Sequence, residues 1–133
     1  MQADIRDELV ALVQPAYATA YPGAKLVVDN QPFDWNNPPE SFTTFEIKFQ
    51  GGCQIGMAAD AKDRVRGHVY VTAYVRLGTG SKTALQTLDW FRGVLSRRAV
   101  GRLQLQAAEP AGDGKAAGYF FEQLKVPFYS DQA

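Results

Sequence analysis

From Val65 to Leu77 the chain alternates without a break. Val65, Gly67, Val69, Val71, Ala73, Val75 and Leu77 fall on one side, and Arg66, His68, Tyr70, Thr72, Tyr74 and Arg76 fall on the other. A period of two sends successive side chains to opposite faces of a strand. The run therefore predicts one strand with an apolar face to bury and an opposite face of large polar residues. It is far longer than the ordinary strand of about 5–6 residues, so it should project beyond the core or bend at Gly67. Any fold for this chain has to be built around that strand.

The flanking segments supply the rest of a layered domain. Ala3 to Ala20 places Ile5, Leu9, Leu12, Val13 and Tyr17 on one helical stripe, with Asp4, Asp7 and Glu8 near the positive end of the helix dipole. Pro15 lacks a backbone donor and should kink or stop that helix, and Tyr21-Pro22-Gly23 should end it. Leu26 to Val28 reads as a short strand before a proline-crowded loop, Asn30 to Pro39, plugged by Phe33 and Trp35. Phe42 to Phe49 alternates Phe45, Ile47 and Phe49 against Thr44, Glu46 and Lys48 and is a strand with one buried face. Gly51-Gly52 marks a turn or bulge, Cys53 to Met57 continues as a short strand, and Asp60 to Arg64 is a polar stretch on an exposed hairpin.

After the long run, Gly78-Thr79-Gly80-Ser81 should break the strand and cap a helix reaching about Arg98. Ala84, Leu88, Phe91 and Leu95 form its stripe, widened by Leu85, Trp90 and Val94, with Arg97 and Arg98 at the negative end. Leu103, Leu105 and Ala107 then alternate, Pro110 to Gly114 reads as a turn, and Phe120, Leu124, Val126 and Phe128 share a face of a last strand. The expectation is a single α+β domain over residues 1–133, a mostly antiparallel sheet covered by two main helices.

Composition narrows the function classes. An apolar content of 46% suffices for a core without metals or disulfides. Lysine plus arginine matches aspartate plus glutamate at 14 each, so no net field draws the molecule onto nucleic acid or an anionic membrane. The single cysteine, Cys53, cannot form an internal disulfide and fits a reducing compartment. Charges at Asp4, Arg6 and Asp7 and the lack of a long apolar run predict neither a signal peptide nor a spanning helix.

The candidate chemical motifs fall short. Gly78-Thr79-Gly80-Ser81-Lys82-Thr83 sits between strand and helix, where a phosphate loop would lie, but Ser81 separates glycine from lysine and the loop is too short. His68 has no serine elbow to serve and no further histidine for zinc, and the isolated Cys53 reads as a packed thiol. Asp60 and Asp63 make a solvated turn, and the arginines are spread over several elements. No catalytic, cofactor or metal residue is expected. What stands out is Tyr70 and Tyr74 alternating with Arg66 and Arg76, since tyrosine and arginine are enriched at protein interfaces. Cross-strand pairing within one sheet is the competing reading.

The order of segments resembles the tail-terminator-like proteins of long-tailed bacteriophages across nearly the whole chain. The resemblance rests on Val27-Val28-Asp29-Asn30-Gln31-Pro32-Phe33, on Phe45 to Phe49 with Gly51-Gly52, and on Arg64 to Val71 leading to Gly78-Thr79-Gly80. The closing Phe120-Phe121-Glu122-Gln123-Leu124-Lys125-Val126-Pro127-Phe128 completes it. It implies a structural virion protein, assembled in the host cytoplasm into a hexameric ring of identical subunits. That ring would cap the tail tube, end its polymerisation and help join tail to head. Its partners would be copies of itself, the tail-tube protein and head-tail connector proteins, with no cofactor; the charge balance, scattered arginines and lack of a long apolar run separately predict no membrane partner and no direct nucleic-acid binding. Exposure and residue type nominate Trp35, Asp60, Lys62, Asp63, Arg64, Arg66, Tyr70 and Tyr74 for the protein interface. The alternatives are another neck or tail-completion subunit and a small-ligand-binding domain.

Overall fold

The computed structural model describes residues 2–22, 25–28, 41–50, 53–55, 62–78, 80–100, 102–116 and 118–132. The elements in chain order are α1 (Gln2–Ala20), β1 (Lys25–Val28), β2 (Ser41–Phe49), β3 (Cys53–Ile55), β4 (Lys62–Arg76), α2 (Lys82–Leu95), β5 (Ala99–Val100), β6 (Leu103–Leu105), β7 (Glu109–Ala116) and β8 (Tyr119–Gln132). They form an α+β fold with one mixed, curled sheet in the order β1-β2-β4-β8-β6-β5. β1 runs parallel to β2, β3 pairs with β4, and β7 pairs with β8.

β4 is the axis of this sheet. Its 15 residues are paired on both edges over most of their length. β8 pairs with it from Asp63 to Arg76, while β2 takes the other edge from Gly67 to Val75 and β3 from Lys62 to Arg64. A long strand is sustained because both edges are occupied, which satisfies its backbone groups along its length.

The alternation sorts the two faces as its period requires. On the inner face Val69 and Val71 of β4 meet Val126 and Leu124 of β8 and Ile47 and Phe45 of β2, and all are buried. Both helices lie on this side. α1 contributes Ile5, Leu9, Val13 and Tyr17 to the core, and α2 contributes Ala84, Leu88, Phe91 and Leu95. Leu85, expected to widen the stripe, instead lies 45% exposed, and Leu77 falls past the end of β4 at 49% exposed. A stripe read from spacing alone overestimates the width of helix that one sheet face can cover.

Pro15 lies inside α1 and the helix nonetheless runs to Ala20. The expected stop is absent. Proline forfeits one hydrogen bond, and the turn beyond it is held by Tyr17, 5% exposed, whose ring stacks on Phe91 at 5.6 Å. The Thr19 hydroxyl also donates to the Pro15 carbonyl at 3.0 Å. At α2, Ser81 occupies the N-cap position as expected, but its hydroxyl makes no capping hydrogen bond.

The stretch read as a turn, Pro110 to Gly114, is part of strand β7, with an irregularity between Pro110 and Gly112. A proline is tolerated there because, among the described residues, β7 pairs with β8 alone and lies off the main path of the sheet. The glycine has its own reason. A Cβ on Gly114 would stand 2.9 Å from the Phe121 ring, so the cross-strand aromatic lies over bare backbone.

Across the same ladder Glu122 faces Asp113. Partial burial, then the Asp113 carboxylate, push the Glu122 carboxyl above its ordinary value of 4.5. A carboxyl raised in the folded state favours folding while protonated, and that contribution is lost as pH rises through the folded value. Glu122→Gln should therefore raise the urea midpoint at pH 7, and the gain should shrink to nothing below pH 4.5. Urea titrations of both proteins at several pH values check this; a gain independent of pH would contradict it.

Candidate functional site

The outer face of the sheet carries no helix among the described residues. Register places Arg64, Arg66, His68, Tyr70, Thr72, Tyr74 and Arg76 of β4 on it. Thr44, Glu46 and Lys48 of β2 lie on one side of that row, and Gln123, Lys125, Pro127, Tyr129 and Asp131 of β8 on the other. Arg64, Arg66, Tyr70 and Tyr74, nominated from the sequence, thus share one face. Lys62 and Asp63 begin β4, opposite Ile55 and Gln54 of β3. Trp35 and Asp60 lie outside the described residues.

The two ends of this face differ in chemistry. At one end Tyr74 stacks on Phe42 with centroids 4.6 Å apart, and Tyr119 and Phe121 pack around them. Phe42 and Tyr119 are buried there, and burial with the nearby Glu46 pushes the Tyr74 phenol up. Tyr74 is therefore committed largely to intramolecular packing. Next to this cluster the Gln123 amide donates to the Thr72 hydroxyl at 3.0 Å.

At the other end the residues are polar. Arg64 grips Asp131 with two hydrogen bonds, Nε to Oδ1 at 2.7 Å and Nη2 to Oδ2 at 3.1 Å. Its guanidinium also lies 4.3 Å from the centre of the Tyr129 ring. Arg64, nominated for an interface, is thus also a fastener between β4 and β8. The pair is partly shielded, with the two side chains 26% and 32% exposed. A double-mutant cycle on Arg64→Ala and Asp131→Ala should give a coupling of about 1 kcal/mol, above the typical exposed pair because the geometry is bidentate. Additive losses would show that the pair holds nothing.

Beside this pair lies a cleft of about 360 Å³ lined by Gln50, Arg64, Arg66, Gly67, His68, Gln106, Pro127, Phe128 and Tyr129. Gln50 donates its backbone N–H to the Arg66 carbonyl, and Gln106 donates to the Pro127 carbonyl, so both glutamines are held in register at its rims. Gln50, Gln106 and Tyr129 were not singled out from the sequence. Continuing the alternation of Phe45, Ile47 and Phe49 by one step, and that of Val126 and Phe128 likewise, places Gln50 and Tyr129 on this face. Gln106 is brought in by tertiary pairing alone.

Elsewhere the described residues offer little for catalysis. They contain no group of three or more His, Cys, Asp or Glu side chains placed to hold a metal ion. No helix among them is long and apolar enough to cross a membrane. Cys53 lies in β3, paired in register with Arg64 of β4. Gly78, Gly80 and Ser81, with Arg76, Leu77, Lys115 and Phe120, border a second, more open cleft of about 400 Å³.

No family model and no curated protein matches the chain. The fold recurs among solved structures, 13 chains of which match. One of these, whose name states no function, superposes with a TM-score of 0.73 over 100% of this chain and 96% of its own, at 16% sequence identity. Likeness at that identity establishes a shared fold and leaves the chemistry of the outer face to be argued from its own residues.

Proposed function

We propose that this chain is a structural virion subunit of a long-tailed phage, one that caps the tail tube, ends its polymerisation and helps join tail to head. The observation that carries this reading is the outer face. There the long strand presents Arg66, exposed, and Tyr70, half-buried, on the side away from both helices. These are side chains that bury much surface while keeping hydrogen bonds, as a docking surface requires. The resemblance in segment order over nearly the whole chain supplies the identity of the partners.

In this reading identical subunits close into a hexameric ring on the tube, and the same ring meets the tail-tube protein and the head-tail connector proteins. Such a ring needs a heterologous contact, in which one surface of a subunit meets a different surface of the next. The helix-covered and helix-free sides of this fold differ enough to serve as two such surfaces. The protein would act by shape in the virion tail after assembly in the host cytoplasm, with no catalytic residue and no cofactor. Its fold would be the tail-terminator fold.

Electron microscopy of tails assembled with and without the protein tests the proposal. Tubes of uncontrolled length in its absence are expected. Tubes of normal length that fail to join heads would move it to another neck or tail-completion role, and normal capped tails would remove it from the tail altogether. Tyr70→Ala should change the unfolding free energy by no more than about 1 kcal/mol while impairing capping.

A further inference from the structure

The formally charged side chains that line the polar cleft on the outer face, Arg64 and Arg66, are both cationic. Register places Gln50 and Tyr129 on either side of Arg66, so its row across β2, β4 and β8 contains no carboxylate. The next row holds Lys48, His68 and Pro127, with Gln106 at its end. In the row on the other side, Asp131 is already gripped by Arg64 through both oxygens. Among the described side chains, Glu46 is an acid one row further along and lies 3.7 Å from Lys48. Among the described residues Arg66 has no ion-pair partner.

The consequence is a hollow rich in donors and poor in acceptors of negative charge. The Arg66 guanidinium, the His68 ring, the Gln50 and Gln106 amides and the Tyr129 phenol all line it, or can turn a hydrogen-bond donor toward it. Among the described residues a cation would find no free carboxylate here, and an apolar ligand would strip water from these groups without replacing their hydrogen bonds. An oxyanion satisfies them. A planar guanidinium matches two oxygens of a carboxylate or phosphate at once. About 360 Å³ is room for such a group with a modest organic body. The Arg64–Asp131 pair and the Tyr129 ring beneath Arg64 give the hollow a fixed wall.

We propose that this cleft is an oxyanion-binding site, in which Arg66 takes a carboxylate or phosphate group flanked by Gln50, His68, Gln106 and Tyr129. The site shares Arg66 with the docking face of the tail-capping reading, but binding is measured on the isolated subunit, so either can fail without the other. It is tested on the full chain by amide chemical-shift titration with inorganic phosphate, phenyl phosphate and N-acetylglutamate, each at constant ionic strength. Saturable shifts clustered at Gln50, Arg66 to His68, Gln106 and Tyr129 are expected with at least one of these probes. Saturation by the phosphates alone would assign the site to a phosphate ester, and saturation by N-acetylglutamate alone to a carboxylate.

Arg66→Gln should weaken binding by about tenfold or more, the effect of losing a charge-assisted hydrogen bond. Arg66 is exposed, so the variant should keep the parent's urea midpoint and amide dispersion. His68→Gln, which keeps a donor without a ring, provides a second variant and should weaken binding less. Shifts that fail to saturate with every probe, or binding that Arg66→Gln leaves unchanged, would overturn the proposal.

Discussion

Phe91→Ala is expected to cost about 3–5 kcal/mol, the largest loss from any single truncation considered for this chain. Phe91 is fully buried on α2, its ring stacked on Tyr17 of α1 at 5.6 Å and met edge-on by Trp90 at 4.8 Å. It therefore joins the two helices to each other as well as α2 to the sheet. Alanine would leave a void beside the Tyr17 and Trp90 rings within a close-packed core, and such walls relax little. Tyr17 would also lose its stacking partner, keeping its ring contacts with Tyr21 and Trp90 and its hydroxyl contact with Thr43 at 3.4 Å.

A domain of this size has about 5–15 kcal/mol of stability in all. The variant should thus sit near the edge of folding. For a urea m-value of about 1.5 kcal/mol/M the midpoint should fall by about 2–3 M. Leu85→Ala, on the same helix but 45% exposed, serves as the control and should change stability by no more than about 0.5 kcal/mol. Equal losses at the two positions would mean that α2 does not dock through the Phe91 row.

Gly67→Ala is the second large effect, and two opposing terms decide its sign. Replacing glycine within a strand ordinarily gains about 0.5–1 kcal/mol from reduced chain entropy. Here the added Cβ would stand 2.5 Å from the Lys48 carbonyl oxygen and 2.6 Å from the Phe128 ring. The carbonyl belongs to β2, the neighbouring strand, and cannot retreat without loosening the β2–β4 ladder. Phe128 is 2% exposed and wedged edge-on against Phe49 at 5.9 Å. Overpacking of this kind costs about 1–3 kcal/mol, so the clash prevails and a net loss is expected.

Gly67→Val should lose more than Gly67→Ala. Adding Phe128→Leu should relieve only the ring clash and recover part of the loss, because the Lys48 oxygen stays in place. Urea titrations of the series check the order. A stabilised Gly67→Ala would show that β4 does not approach its neighbours this closely. The glycine in the long alternating run therefore serves close packing between strands.

How much of this could be read before the fold was known depends on the range of the forces involved. The alternation from Val65 to Val75 determined a strand and assigned each of its side chains to a face, because the period of two is a property of the backbone itself. The same holds for the Ala84, Leu88, Phe91 and Leu95 stripe, all of whose members are buried. Arg66 and Tyr70 could be placed on the polar face for that reason alone.

Only tertiary pairing decided the rest. Pro110 to Gly114 has the composition of a turn and becomes a strand because β8 supplies hydrogen bonds and Phe121 covers the bare glycine. α1 survives Pro15 because Tyr17 is anchored on Phe91, a residue of another helix. Arg64 and Asp131, 67 positions apart, meet because β4 and β8 are central neighbours. The cleft likewise draws Gln50, Arg66, Gln106 and Tyr129 from separate segments. Local periodicity sets which way a side chain points, whereas partners across the sheet are chosen by burial of the whole inner face, a quantity no short window of sequence contains.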